Sequence, residues 1–111
     1  MEKAEATPKI MAYIGLAVKA GKAVSGSSKA EAAIKAQKAR MVIVSGDAGK
    51  NTLKHFSDMA AFRSIPCIVL EGDVKLGAAI GSENKKTVCI TDAGFAAAIE
   101  KEINLYLGGK Q

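Results

Sequence analysis

Aromatic side chains and cysteines are scarce in this chain of 111 residues. Aromatics make up 5% of the residues, with no Trp, and there are two cysteines. So few rings argue against binding nucleic acid by stacking a row of bases on exposed aromatics. Cys67 and Cys89 each lie beside β-branched residues. This setting favours buried free thiols in a reducing compartment over a disulfide framework or a metal site.

Long hydrophobic runs are also missing. The longest apolar stretch is far shorter than the roughly 20 residues that cross a bilayer. The N-terminal segment MEKAEATPK mixes both charges and lacks the apolar part of a signal peptide. These absences predict a cytoplasmic protein without a membrane partner. By contrast, 49% of the residues are hydrophobic, which predicts one globular domain over 1–111 with its ordered core at about 8–106.

Positive charge is concentrated in one part of the chain. The net charge is +5, and residues 9–63 hold ten basic and three acidic side chains, a net of +7. Residues 1–8 and 64–111 each have a net charge of −1. Two interpretations stay open: an anionic partner on one face, or ordinary solvated helix faces.

Apolar periodicity and turn residues predict helices that alternate with strands. Helices are predicted at about 8–20, 28–38, 51–63, 74–80 and 93–107, and strands at 23–24, 40–45, 67–70 and 87–91. The continuous β-branched runs are typical of central strands buried on both faces. In the third helix, Leu53, Phe56, Met59, Ala60 and Phe62 are placed on the inner side. This order predicts an α/β fold with helices on both sides of a sheet.

Two turns precede predicted helices and contain lysines. Gly26-Ser27-Ser28-Lys29 opens the second helix, and Asp47-Ala48-Gly49-Lys50-Asn51-Thr52 opens the third. Backbone N–H groups at a helix start attract phosphate, and lysines strengthen that attraction. The competing interpretation is that the hydroxyls and the amide cap the helices. Because loops at one end of an open α/β sheet form one surface, Lys22, Lys29, Lys50 and Lys54 are expected there together.

No pattern indicates an enzyme, a metal site or a cofactor. The second turn lacks the leading Gly and the Ser or Thr of a nucleotide-binding loop. His55 is the single histidine, with no companion at ligand spacing, and a surface position on a helix is expected for it. Glu71 and Asp73 flank Gly72 and are interpreted as solvated loop residues rather than an acid/base pair.

An ordered series of short motifs over about 9–100 resembles the ribosomal protein L7Ae superfamily, specifically its small bacterial members. The motifs are Gly15-Leu-Ala-Val-Lys-Ala-Gly21-Lys22, Ser25-Gly26, Ala39-Arg-Met-Val-Ile-Val44, Asp47-Ala-Gly-Lys-Asn51-Thr52, Ile65-Pro66, Leu76-Gly77 and Ile90-Thr-Asp92-Ala-Gly-Phe95. The resemblance implies a three-layer α/β/α sandwich with a small mixed central sheet. It further implies a monomeric, ribosome-associated, non-enzymatic protein that binds structured RNA, typically a kink-turn.

The resemblance also implies a contact motif at the start of the second helix: Gly, any residue, Asn, Glu, two residues, Lys. It falls on Gly26, Ser28, Lys29 and Ala32, of which Gly26 alone matches. Lys29 cannot accept hydrogen bonds from guanine as a carboxylate does, and Ala32 offers no phosphate contact. The second implied contact is the loop 70–73, which contains two acids. These departures favour an alternative, a protein-interaction module that kept the fold and lost the RNA site.

The predicted RNA-binding surface combines the two turns with that loop. It consists of Lys22, Gly26, Ser27, Ser28, Lys29, Lys50, Asn51, Leu70, Glu71 and Gly72. Gly26 would let the backbone approach RNA, the helix start would face phosphate, and the lysines would release counterions.

Overall fold

The computed structural model describes residues 2–72, 76–81 and 85–109. In these ranges the strands are β1 (Glu2–Glu5), β2 (Ala23–Ser25), β3 (Met41–Ser45), β4 (Cys67–Glu71) and β5 (Thr87–Ile90). The helices are α1 (Pro8–Lys19), α2 (Ser27–Lys35), α3 (Lys50–Phe62), α4 (Leu76–Ile80) and α5 (Ala93–Gly109). The predicted helix start at Val74 lies outside the described residues.

The strands form one mixed sheet in the order β1-β4-β3-β5-β2. β3 and β1 are parallel to β4, whereas β5 is antiparallel to both β3 and β2. The carboxyl ends of β1 to β4 and the amino end of β5 therefore lie together. We call this the Gly26 end of the sheet, and the opposite one, where β3 begins, the Arg40 end.

Helices cover both faces of the sheet, which confirms the three-layer α/β/α sandwich. On one face, α1, α4 and α5 bury their apolar side chains against Met41, Ile43 and Ile90. On the other, α2 and α3 pack against Val42 and Val44. Successive β3 residues point to opposite faces. This alternation explains why β3 is fully buried and why its sequence is apolar throughout.

Both thiols are buried and free, as predicted. Cys67 and Cys89 pair with Val42 from opposite sides, so two strand spacings, about 10 Å, separate them. That separation exceeds the ~7 Å limit between the Cα atoms of a disulfide. Burial raises the pKa of Cys89 to about 11 and also raises the pKa of Cys67. Both side chains therefore stay protonated near neutral pH.

The ends of α1 follow the predicted signals. The Thr7 hydroxyl accepts a hydrogen bond from the Ile10 amide at 3.2 Å, and Pro8 occupies the first helical position. Gly21, which follows the C-cap residue Ala20, has a positive φ of 73°. The Lys22 amide then donates to the Ala17 carbonyl, which completes a C-terminal cap that favours glycine.

The prediction that Phe62 faces the core is wrong. Phe56 and Ala60 are buried as expected, but Phe62 is 84% exposed. Two residues along an α-helix correspond to about 200° of rotation. Phe62 therefore points away from the sheet that Ala60 contacts.

Two further differences concern chain segments near the ends of elements. The strand β1 was not predicted, because Glu2–Glu5 reads EKAE and has no apolar alternation. The helix α2 ends at Lys35, three residues before the predicted end, because Gln37 adopts a left-handed φ of 62°. Among the helices of the described ranges, none combines the length and the apolar character required to cross a membrane.

Candidate nucleic-acid interface

The sheet topology brings the starts of α2 and α3 to the same end. α2 follows the carboxyl end of β2, and α3 follows that of β3 after the turn 46–49. The amino end of β5 lies between them, since Thr87 O accepts from the Gly26 amide and Lys86 O from the Ser45 amide, both at 2.8 Å. Lys29 and Lys50 therefore share the Gly26 end, as predicted.

Neither of these helices has a side-chain cap at its start. Gly26 and Gly49 occupy the N-cap positions, and neither residue makes a side-chain capping hydrogen bond. The interpretation of Ser27, Ser28, Asn51 and Thr52 as capping residues is wrong, because these residues lie inside the first helical turns. Both helix starts thus present backbone N–H groups that can donate hydrogen bonds to a phosphate.

α5 shows the capped arrangement for comparison. Asp92 Oδ2 accepts a hydrogen bond from the Phe95 amide at 2.9 Å, at the Arg40 end of the sheet. The carboxylate satisfies one of the first-turn donors and adds negative charge beside the helix start. An anion would gain less at α5 than at α2 or α3.

Glycine is required at two positions around these turns. Gly26 has φ 96° and ψ 150°, a region that side chains rarely adopt. The Gly46 amide donates to Leu70 O at 2.7 Å, and a Cβ at Gly46 would lie 2.8 Å from that oxygen. The backbone of the turn before α3 therefore lies so close to the end of β4 that no side chain fits at Gly46.

Two lysines that no sequence motif indicates also contribute to this surface. The side-chain carbons of Lys85 lie 3.6 Å from the place that a Cβ on Gly26 would occupy. Lys86 Nζ donates to Asp47 Oδ2 at 2.7 Å, and Asp47 Oδ1 accepts from the Ser45 hydroxyl. Both lysines reach the Gly26 end because β5 is antiparallel, and no local sequence pattern indicates that direction.

The loop after β4 contributes less than expected. Leu70 is buried in the core at 5% exposure, so its side chain does not line the RNA-binding surface that the sequence predicts. Glu71 is exposed, and its carbonyl accepts from the Ala6 amide at 2.8 Å. Gly72 is exposed with φ 128°, and Asp73 lies outside the described residues.

Lys22 is not part of this surface, and the prediction that it lies with Lys29 is wrong. Its carbonyl accepts from the Thr91 amide at 2.9 Å, just beyond the carboxyl end of β5. Lys22 precedes β2 whereas Lys29 follows it, so the three residues of β2, about 10 Å of strand, separate them. Lys22 belongs to the Arg40 end.

The single histidine joins the two helices on this face of the sheet. His55 Nε2 lies 2.8 Å from Glu31 Oε1, which links α3 to α2 at the surface. Lys54, one turn into α3, forms an ion pair with Asp58 at 2.9 Å. Across the described ranges 2–72, 76–81 and 85–109, no three His, Cys, Asp or Glu side chains form a potential metal site.

Together, the fold and this end of the sheet define a small α/β/α domain with two uncapped helix starts and several lysines on one surface. The chain belongs to the Ribosomal protein L7Ae/L30e/S12e/Gadd45 family, whose model matches residues 8–100. This confirms the family that the sequence motifs indicate.

Similar proteins include two bacterial ones named RNA-binding protein YlxQ. The one from Enterococcus faecium is 38% identical over 88 residues, covering 79% of this chain and 84% of the relative. The one from Bacillus subtilis (strain 168) is 36% identical over 83 residues, covering 75% and 83%.

Solved structures show the same fold. A protein of unknown function from Bacillus halodurans C has a TM-score of 0.78 at 27% identity, covering 88% of this chain and 99% of that one. The Giardia lamblia 15.5kD RNA binding protein has a TM-score of 0.72 at 15% identity, covering 90% and 92%. The second likeness concerns the fold alone.

Proposed function

We propose that this chain is a non-enzymatic RNA-binding protein whose Gly26 end contacts structured RNA of the kink-turn type. The observation that carries the proposal is the placement of two uncapped helix starts and exposed Lys29 and Lys50 on one surface. The relatives named RNA-binding protein support it. We further propose that it acts as a cytoplasmic monomer on ribosomal or other structured RNA.

In this proposal, phosphates occupy the two helix starts. The first-turn N–H groups of α2 and α3 donate to phosphate oxygens, and the partial positive charge of each helix start adds to the attraction. Lys29 and Lys50 pair with neighbouring phosphates. Such contacts position the RNA and make affinity depend strongly on salt, but they carry little sequence information.

Base recognition falls to the polar side chains of the same turns. The exposed side chains of Ser27, Ser28 and Asn51 offer hydroxyl and amide groups to the edges of unstacked bases. Lys29 stands where the family motif has a carboxylate, so this chain replaces an acceptor for guanine by a cation. We therefore expect weaker discrimination between RNA shapes than the full motif provides.

Binding measurements test the proposal directly. A kink-turn RNA and a matched straight duplex are titrated with the protein at about 50 and 200 mM salt. Replacing both Lys29 and Lys50 by Gln should weaken binding to both RNAs, and each lost phosphate contact should reduce the salt slope by about one. The control is Lys101→Gln, an exposed lysine on α5, which should leave affinity unchanged.

Lys29→Glu tests whether the kink-turn motif still operates. Restoring a carboxylate acceptor should raise the ratio of kink-turn to duplex affinity. Equal weak binding of the unaltered protein to both RNAs would contradict kink-turn recognition. Absence of binding to either RNA would overturn RNA binding and favour the protein-interaction module.

A further inference from the structure

The Arg40 end of the sheet has a basic surface of its own. Five exposed cations lie there, in the last turn of α2, beyond the ends of α2 and α3, or before β2 and β3: Lys22, Lys35, Lys38, Arg40 and Arg63. None of the ion pairs among the described residues includes any of them. This surface lies about 14 Å from the start of α2 and about 20 Å from that of α3, because these helices have 9 and 13 residues.

Helix stabilisation explains few of these charges. A cation in the last turn of a helix interacts favourably with its partial negative charge, and Lys35 occupies that position in α2. Lys38 and Arg40 lie past the helix end, and Lys22 lies between the end of α1 and β2. Their accumulation against one end of the sheet is thus not a requirement of the fold.

An exposed aromatic ring and a groove adjoin the cations. Phe62 is 84% exposed, and the guanidinium carbon of Arg63 lies 5.5 Å from the centre of its ring. Arg63 also lines a groove of about 340 Å³ between the ends of α2 and α3, together with Ile34, Gln37, Ala39 and Ile65. The surface therefore combines positive charge, an apolar floor and a ring that contacts little else.

We propose that the Arg40 end is a second RNA-binding surface, specific for single-stranded RNA. A base stacks on Phe62 or enters the adjoining groove, and the flanking phosphates pair with Lys38, Arg40 and Arg63. Bases stack on exposed aromatic rings and on guanidinium planes without strict sequence preference. This surface is separate from the Gly26 end, so the inference stands independently of the function proposed for that end.

The ring and the groove favour RNA over an acidic protein segment. Carboxylates would pair with the cations alone and would leave Phe62 and the groove without a role. A nucleotide uses all three features, because its phosphate is anionic and its base is flat and weakly polar. One ring provides one stacking position, which agrees with the low aromatic content of the chain.

The test uses the full chain with Lys29→Gln and Lys50→Gln, so that binding at the Gly26 end is weakened. A fluorescent oligouridine of about 12 nucleotides is titrated by anisotropy, within the range of site sizes for single strands. Adding Phe62→Ala and Arg63→Gln should reduce affinity about five-fold or more, since a stacked base is lost. The matched control is Leu105→Ala with Lys101→Gln, an exposed apolar residue and an exposed lysine on α5, which should change affinity less than two-fold.

Amide NMR spectra of the ¹⁵N-labelled unaltered protein locate the contact. We expect oligouridine to shift signals of residues 35–40 and 62–65. Shifts confined to residues 26–29 and 47–52 would overturn the proposal. Equal affinity of the variant with Phe62→Ala and Arg63→Gln and the control with Leu105→Ala and Lys101→Gln would also overturn it. An acidic peptide, oligoglutamate, is titrated in parallel, and shifts at the Arg40 end with the peptide but not with oligouridine would also overturn it.

Discussion

At the scale of single residues, Gly26 has a backbone conformation that other amino acids rarely adopt. Its φ of 96° with ψ of 150° lies in a region nearly restricted to glycine. It is also the N-cap of α2 and lies against the side chain of Lys85. The backbone at this point therefore owes its conformation to the absence of a side chain.

Gly26→Ala should destabilise the fold. We expect the free energy of unfolding to fall by about 1–3 kcal/mol, the cost of holding a side-chain-bearing residue in this region. Urea denaturation followed by circular dichroism measures the change. Gly49→Ala is the control, because Gly49 is the N-cap of α3 with an ordinary φ of −63° and open space around it. An equal effect of both substitutions would contradict the strain at Gly26.

At the scale of elements, the start of α3 links stability to binding. Gly49 has the extended conformation usual for an N-cap, but it lacks the side-chain acceptor that Ser or Asp supplies. A hydroxyl there would accept from a first-turn N–H group, and it would compete with a phosphate for the same donor. Stability and RNA affinity should therefore change in opposite directions.

Gly49→Ser is the substitution that separates these two effects. The free energy of unfolding should rise by about 0.5–1 kcal/mol, from the new cap and a less flexible unfolded chain. RNA affinity should fall several-fold as the donor becomes occupied. Thr7→Ala is the converse control, since it removes the α1 cap and should lower stability by about 1 kcal/mol without altering RNA affinity. Higher stability with unchanged affinity would show that phosphate does not bind at α3.

The central strands and their helices could be predicted from sequence, whereas β1 could not. β3 is buried on both faces, so its apolar run is a local signal. β1 is an edge strand with one buried residue, Ala4, and it pairs with β4 through its backbone. Because this segment is mostly charged, its strand propensity is low, and pairing with a strand distant in sequence cannot be predicted from it.

The candidate surface was predictable only where it depends on local sequence. The two glycine turns are visible as motifs, and the structure brings Lys29 and Lys50 together. The positions of Lys22, Lys85 and Lys86 depend on the direction of β2 and β5 in the sheet, which is a property of the topology. Lys22 therefore lies at the end opposite to the one that the sequence predicts, and no local pattern indicates the positions of the other two.

At the scale of the whole molecule, the charge of the basic segment is divided between two surfaces. Residues 9–63 have a net charge of +7, and the chain crosses the sheet repeatedly in this range. Cations just before β2 and β3 reach the Arg40 end, and those just after these two strands reach the Gly26 end. Net charge along the sequence thus agrees with a polyanionic partner but does not indicate where that partner binds.

If both ends bind RNA, their contributions should be independent. The ends lie about 14–20 Å apart along α2 and α3, and substitutions more than about 10 Å apart without shared partners usually add in free energy. Lys29→Gln/Lys50→Gln and Phe62→Ala/Arg63→Gln should each reduce RNA affinity by some factor. We expect the loss of affinity in the quadruple variant to equal the product of these two factors to within about two-fold. The ligand for this measurement is a kink-turn RNA with a single-stranded extension, and anisotropy titrations give the three affinities relative to the unaltered protein. A quadruple loss much larger than the product of the two double losses would mean that the RNA occupies one end at a time, whereas a kink-turn without the extension should respond to the first pair alone.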